Sequence, residues 1–225
     1  MNRKTAFAPE SYFHIYNRGI EKRNIFLNYN DYHRFLILLY LCNNIEPVDL
    51  RNLIDNKGLT FEEMFNIERK EILVDIGVYC LLPNHIHILI KPRNEKGVSH
   101  FMQKLFTGYT MYFNKKNSRT GRLFESTFKA KLIGGDEYLK YLFAYIHLNP
   151  VKLIEPGWKE NGIKNFDKTK EFLNNYQWSS YLSYIKQERN DSLLKKDSFP
   201  EYFNNVKEFN DFIDEWLRYK DLAKV

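Results

Sequence analysis

The 225-residue sequence lacks the features that mark secreted and membrane proteins. It has only two cysteines, Cys42 and Cys80, which lie far apart in apolar runs, so neither a disulfide framework nor a CxxC metal site is expected. Residues 1–11 contain no apolar signal core, and the longest apolar run, Phe35 to Cys42, is too short to cross a bilayer. We therefore expect a cytoplasmic protein that has no membrane partner.

Several common enzyme motifs are also missing. The sequence has no Walker loop (GxxxxGK[ST]), no GxGxxG after a strand, no GxSxG elbow and no HExxH. NTP hydrolysis, dinucleotide redox chemistry and the common hydrolase chemistries therefore lose support.

The composition indicates a folded, basic protein. Hydrophobic residues make up 44% of the chain, which is enough for a packed core. The net charge is +6, and a basic chain attracts polyanions, of which nucleic acid is the usual one. Aromatic residues make up 16%; most such rings fill cores, but exposed ones can stack on unpaired bases.

The apolar and turn residues predict an α+β fold with the order β-α-β-β-α-β-α. The first six elements fit a ferredoxin-like (split βαβ) sandwich with an antiparallel sheet. The predicted strands are Tyr12 to Asn17, Ile72 to Leu82 (interrupted by Gly77), His85 to Lys91 and Leu123 to Ile133. The predicted helices begin at Asn30 or Asp31, at Ser99 and at Gly134-Gly135-Asp136.

Two segments lie outside this pattern. Pro47 to Lys70 is mixed and polar, and is interpreted as a helical insertion. Beyond Pro156 the pattern weakens to short helical pieces, and the amphipathic stretch Phe203 to Leu222 predicts a helical C-terminal appendage. The predicted division is a domain at 1–156, with the insertion at about 47–70, and a helical extension at 157–225.

Two histidines alternate within an otherwise apolar strand, His85-Ile86-His87. Side chains alternate across a strand, so both imidazoles share one face, roughly 6.5–7 Å apart along the strand. Two imidazoles on one face can converge on a metal ion. The alternative is a pair of exposed histidines on a half-open sheet face.

A second pattern lies at the end of the last helix, where Tyr145 and Asn149 are four residues apart. On a helix this spacing places them on one face, with Cβ atoms about 5–6 Å apart. The amide oxygen could then hold a metal beside the tyrosine hydroxyl. The alternative is that Tyr145 packs and Asn149 merely caps the helix before Pro150.

A third pattern is a set of basic residues in the loop after the second helix and on one face of the following strand. Such residues suit a phosphate backbone, and the alternative is an ordinary solvated surface. The residues are Lys115, Lys116, Arg119, Arg122, Lys129 and Lys131.

Taken in order, these patterns and the segments around them resemble the single-tyrosine HUH transposases, most closely their REP-associated tyrosine transposase branch. The resemblance spans about Tyr12 to Tyr181. The matching segments are Tyr16-Asn17-Arg18-Gly19, Leu82-Pro83-Asn84-His85-Ile86-His87, Phe113-Asn114, Gly121-Arg122-Leu123-Phe124, Tyr138-Leu139, Tyr145-Ile146-His147-Leu148-Asn149-Pro150 and Trp178-Ser179-Ser180-Tyr181.

The resemblance implies metal-dependent cleavage and rejoining of single-stranded DNA by the domain at 1–156. The nucleophile would be Tyr145, which keeps the 5′-phosphate and leaves a free 3′-hydroxyl. The metal, Mg²⁺ or Mn²⁺, would be held by His85, His87 and Asn149, although other family members use glutamine at the last position. Arg18 joins the six basic residues above as a DNA contact.

The expected partner is single-stranded or hairpin DNA, and a homodimer is left open. The alternative function is a non-catalytic, domesticated nucleic-acid-binding regulator on the same fold. Among rival nucleophiles, Tyr109 and Tyr138 match apolar faces and are expected to be buried. Tyr141, one turn before Tyr145, is the serious competitor.

Overall fold

A computed structural model describes residues 6–186 and 192–219. Its strands β1 (Phe13–Arg18), β2 (Val74–Leu82), β3 (His85–Pro92) and β4 (Lys129–Leu132) form one sheet. The strand order is β2-β3-β1-β4, and every neighbouring pair is antiparallel. This topology confirms the predicted α+β, ferredoxin-like fold.

Eight α-helices lie in the described ranges, together with 3₁₀ turns at Ile20–Lys22, Asn149–Leu153 and Lys196–Ser198 and a π-helical turn at Asn52–Asn56. The helices are α1 (Tyr29–Leu41), α2 (Phe61–Met64), α3 (Gly97–Lys116), α4 (Asp136–Leu148), α5 (Trp158–Asn161), α6 (Phe166–Asn175), α7 (Tyr181–Ile185) and α8 (Val206–Arg218). No helix of the described ranges is long and apolar enough to cross a membrane.

Two helices begin earlier than the sequence predicts. α1 begins at Tyr29 because the Asn28 side chain, rather than Asn30 or Asp31, caps it by accepting a hydrogen bond from the Asp31 amide. α3 begins at Gly97, so Ser99 lies inside its first turn. A Cβ at residue 97 would come within 2.3 Å of the Leu73 carbonyl oxygen, and glycine therefore allows this helix start to pack against the chain that enters β2.

The two faces of the sheet have different coverings. Ile86, Ile88 and Ile90 of β3 face the core that α1 and α3 cover, as the alternation predicts. The opposite face carries Leu89 and is covered by α4. A bulge at Gly77 shifts the register of β2 against β3, which agrees with the predicted interruption of β2.

The fourth strand is much shorter than the predicted Leu123 to Ile133. Its N-terminal half forms only an isolated bridge between Phe124 and Gly19. The buried Asn17 amide donates to the carbonyl oxygens of Ser126 (2.9 Å) and Thr127 (3.2 Å), and so takes up backbone acceptors that a continuous ladder would need. Ladder pairing with β1 therefore begins only at Lys129.

The helical insertion and appendage are both present. Residues 47–70 contain the π-helical turn and α2, and residues beyond 156 contain α5 to α8. The predicted C-terminal helix, Phe203 to Leu222, is observed as Val206–Arg218, and Leu222 lies outside the described residues. The predicted boundary at residue 156 stays a prediction.

The appendage also contributes to the sheet. The chain at Trp178–Ser180 runs beside β2, where the Leu81 amide donates to the Trp178 carbonyl and the Ser180 amide donates to the Tyr79 carbonyl. This pairing covers the outer edge of β2, which would otherwise leave backbone groups without partners.

Candidate metal and nucleophile site

The two histidines of the HxH pattern share the sheet face that α4 covers. Their ring centroids are 5.1 Å apart. His85 is partly buried, and His87 is only 6% exposed. They are therefore not a pair of exposed side chains on an open face.

The orientation of His85 is set by Asn84. The Asn84 amide nitrogen donates to the Lys22 carbonyl (3.1 Å), which leaves its side-chain oxygen facing Nδ1 of His85 at 2.6 Å. An amide oxygen only accepts, so Nδ1 carries the hydrogen and Nε2 keeps a lone pair. Burial, with the charges of Arg18 and Lys152, lowers the pKa of His85 to about 4, so the ring is neutral at pH 7 as a metal ligand must be.

His87 is held by a third histidine that sequence reasoning did not select. Nε2 of His14, on β1, lies 2.9 Å from Nδ1 of His87, and both side chains are buried. Burial lowers the pKa of His14 to about 4 and that of His87 well below its usual value. The strand period places His14 and Tyr16 on one face of β1, a signal that could have located them.

Tyr145 projects from α4 onto these rings. Its ring is edge-on to His87, with centroids 5.7 Å apart, and edge-on to His14 at 5.8 Å. Burial raises the pKa of Tyr145 above its usual value. Its hydroxyl is thus a weaker nucleophile than an exposed phenol unless a cation or a proton acceptor assists it.

Asn149 fits both interpretations of its position. It is 4% exposed, and its amide nitrogen donates to the Tyr145 carbonyl at 2.9 Å, as a helix-end cap would. That bond uses the amide NH₂ group and leaves the oxygen as a potential ligand. Asn149 also lines the same cavity, of about 310 Å³, as Tyr145, His85 and His87.

The remaining wall of this cavity includes three basic residues and one acidic residue. Arg18 and Lys129, two predicted DNA contacts, line it. Sequence reasoning did not select four further polar lining residues, Tyr16, Asn17, Glu125 and Lys152. Glu125 and Lys152 could not be placed there because the bent chain before β4 and the 3₁₀ turn after α4 were not predicted.

A divalent cation at this site would need a third ligand besides His85 and His87. Within residues 6–186 and 192–219, no group of three or more His, Cys, Asp or Glu side chains could hold a metal ion. A site here therefore needs a different third donor. Two neutral imidazoles and the Asn149 amide oxygen are a mixed set that suits Mn²⁺, while Mg²⁺ prefers oxygen ligands.

The rival tyrosines occupy other environments. Tyr109 is buried and donates to the Ile25 carbonyl, as expected. Tyr141 packs on Trp216 of α8, with centroids 4.8 Å apart, and does not line the histidine cavity. Tyr138 is only partly buried and accepts a hydrogen bond from Lys131, so its predicted burial is wrong.

Lys159 of α5 is a further neighbour of Tyr145 that the sequence did not reveal. Its Nζ lies 4.1 Å from the centroid of the Tyr145 ring, in cation–π contact. Burial, with the charge of Lys152, lowers the pKa of Lys159 to about 8.

The segment predicted as a basic loop begins inside α3, because Lys115 and Lys116 form the last turn of that helix. Other residues tether some of its basic side chains. Lys116 pairs with the buried Asp31 at 2.5 Å, and Arg119 donates to the Asn114 side chain and to the Arg122 carbonyl. Lys115 and Arg122 are exposed. The loop then joins the end of β1, where the Ile20 amide donates to the Leu123 carbonyl, so it leads towards the cavity.

A family match agrees with the resemblance seen in the sequence. Residues 51–149 match the family described as "Transposase IS200 like", and this segment includes His85, His87, Tyr145 and Asn149. The chain is also similar to a solved "REP associates tyrosine transposase bound to a REP hairpin", with 12% identity, a TM-score of 0.48, and coverage of 91% of this chain and 94% of the other. No curated protein matches the chain. The family match confirms the resemblance and supports a transposase-type function.

Proposed function

Starting from the match of residues 51–149 to the IS200-like transposases, we propose that this protein cleaves and rejoins single-stranded DNA through a phosphotyrosine on Tyr145. One observation carries the proposal: Tyr145, His85, His87 and Asn149 line a single cavity. Three basic residues, Arg18, Lys129 and Lys152, line the same cavity. DNA binding alone requires neither a buried histidine pair nor a tyrosine directed at it.

The reaction exchanges one phosphate ester for another. The Tyr145 oxygen forms a bond to phosphorus and loses its proton, while the bond to the 3′ oxygen breaks and that oxygen takes up a proton. The reverse attack by a 3′-hydroxyl rejoins the strand. One ester is made for each that is broken, so no ATP is needed.

Attack by the largely buried Tyr145 requires that the charge of the phosphate be neutralised and that the phosphate be held in position. When bound at His85, His87 and Asn149, a divalent metal would neutralise and orient the scissile phosphate. Arg18 and Lys129 lie where they can hold neighbouring phosphates. α4 fixes the Tyr145 ring against the sheet. Proteins catalyse phosphoryl transfer mainly by such positioning and by electrostatic stabilisation.

The site is assembled within one chain. Tyr145 contacts His14 and His87 of its own sheet. This arrangement favours cleavage in cis, so a monomer would be competent and a homodimer would not be required.

The DNA path we propose runs from the basic loop to the cavity. The exposed Lys115 lies in the last turn of α3, and the exposed Arg122 lies on the loop that follows, which abuts the end of β1 where Arg18 sits. Unpaired DNA, alone or beside a hairpin, is the substrate that this cavity and its basic approach suit.

The rival function is a DNA-binding regulator on the same fold. The chemical state of the DNA ends after incubation distinguishes the two functions. The wild-type protein is incubated with Mn²⁺ and a stem-loop oligonucleotide that has single-stranded flanks. Cleavage through Tyr145 predicts two products: a downstream fragment whose 5′-phosphate is joined to the protein and resists SDS, and an upstream fragment whose free 3′-hydroxyl a polymerase can extend. A regulator would shift the oligonucleotide in a gel and yield neither product.

A further inference from the structure

We propose that His14 is a positioning residue that fixes which nitrogen of His87 faces the metal. It would accept a hydrogen bond from Nδ1 of His87 and so leave Nε2 as the ligand atom. The proposal rests on the metal-binding role proposed above for His87.

The first support is the geometry of the pair. Nε2 of His14 and Nδ1 of His87 are 2.9 Å apart, and the two rings are nearly parallel, with an interplanar angle of 21°. Both side chains are 6% exposed, so water is a poor substitute for either partner.

The second support is the enclosure of the two rings. The β1–β3 register pairs Tyr16 with His87 and His14 with Leu89, so the two histidines are diagonal neighbours on one face. The Tyr16 ring lies 5.1 Å from His14 and 6.0 Å from His87, while Tyr145 approaches both edge-on. A ring flip of His87 would have to displace these aromatic neighbours.

The third support is the count of protons. The two facing nitrogens share one hydrogen. If His14 donates it, the neutral His87 ring carries its own proton on Nε2, where it blocks a metal. If His87 donates it, Nε2 of His87 has a free lone pair.

The other histidine of the pair, His85, has a partner of the same kind in Asn84. The Asn84 oxygen fixes the corresponding tautomer of His85, with Nδ1 protonated and Nε2 free. His14 would do for His87 what Asn84 does for His85, and partners of this kind are a common requirement of metal-binding histidines.

The test is the affinity for Mn²⁺ without DNA, measured by calorimetry or by the electron paramagnetic resonance of free Mn²⁺. His14→Phe keeps a ring but removes the acceptor, and should weaken binding by about 10–100-fold. His14→Gln supplies an amide oxygen and should recover most of the affinity. His100→Phe, at an exposed position on α3, is the matched control and should bind as the wild type does.

The tautomer itself can be read in the wild-type protein, whether or not the His14 variants fold. A long-range ¹H–¹⁵N spectrum of histidine-labelled protein with Mg²⁺ should show His87 protonated at Nδ1. Wild-type affinity in a folded His14→Phe variant, or His87 protonated at Nε2 with metal bound, would overturn the role of His14. A wild-type protein that binds neither ion, or a His85→Ala variant that binds as well as the wild type, would instead remove the metal site on which the inference rests.

Discussion

The ring of Tyr145 on α4 meets the ring of His87 on β3 edge-on, with centroids 5.7 Å apart and 88° between the planes. The function proposed above assigns the nucleophile and a metal ligand to these two positions, and both lie in one chain. The proposed chemistry therefore makes direct predictions for single substitutions.

His85→Ala should abolish metal-stimulated cleavage while leaving the fold intact, because His85 is only partly buried and its bonded partner Asn84 keeps a second bond to Lys22. We expect cleavage to fall by at least about 100-fold, the upper end of what losing a metal ligand's partner costs. His100→Ala is the control. Full activity of His85→Ala with saturating Mn²⁺ would remove His85 from the metal site.

Lys159→Met should slow adduct formation without weakening DNA binding. The substitution keeps the apolar stem but removes the cation that lies over the Tyr145 ring. A cation–π contact contributes about 0.5–2 kcal/mol, so the single-turnover rate should fall about 2- to 30-fold. Lys159→Arg should restore the rate, and Lys164→Met, at an exposed position, should have no effect. An unchanged rate in Lys159→Met would mean that this contact serves packing alone.

Charge reversal at Arg119 and Arg122 should weaken DNA binding and flatten its dependence on salt. Each lost phosphate contact reduces the slope of log K against log[salt] by about 0.7 for single strands. Arg122→Glu alone is the cleaner variant, because Arg119 also ties the loop to Asn114. Lys207→Glu on α8 is the control. If the slope is the same in all variants, the DNA path lies elsewhere.

Acid should destabilise the protein from about pH 6.5 downwards. This pH is well above the range in which aspartate and glutamate side chains usually take up protons. Burial lowers the pKa of His14 and His85 to about 4 and that of His147 to about 3, whereas unfolded histidine has a pKa of about 6.5. Below pH 6.5 the unfolded chain therefore binds protons that the folded chain excludes, and each such group removes at most about 1.4 kcal/mol per pH unit.

Urea unfolding at pH 7.5, 6.5 and 5.5 measures this effect. The free energy of unfolding should change little between pH 7.5 and 6.5 and then fall. His147→Gln should reduce the steepness by about one proton, whatever it does to absolute stability. A free energy of unfolding that is as high at pH 5.5 as at pH 7.5 would contradict the burial of these rings.

Features that depend on local periodicity were largely predictable from the sequence. The alternation in β3 correctly placed His85 and His87 opposite Ile86. The four-residue spacing predicted that Tyr145 and Asn149 share one side of the helix, and both do line one cavity. The start of α1 was misplaced because several polar residues before it could cap a helix, and only the structure shows that Asn28 does so.

Features that the sequence did not reveal depend on contacts between distant segments. The strand period of β1 could have placed His14 and Tyr16 on one face, but the contact of His14 with His87 follows only from the register of β1 against β3. Lys159 reaches Tyr145 through the packing of α5, which is too short to have a pattern of its own. The ion pair of Lys116 with Asp31 likewise depends on the position of α3 relative to α1, so the run of basic residues overstated the number of cations without an acidic partner.

The most direct test of the proposed mechanism is the identity of the residue that carries the DNA. Wild-type protein, Tyr145→Phe, Tyr141→Phe and Tyr16→Phe are each incubated with Mn²⁺ and a labelled single strand, and any crosslinked peptide is sequenced. We expect an adduct on Tyr145 in the wild type and in the last two variants. Tyr145→Phe should bind DNA normally and form none, because only the attacking oxygen is lost. An adduct that persists in Tyr145→Phe, or one that maps to Tyr141 or Tyr16, would contradict the assignment.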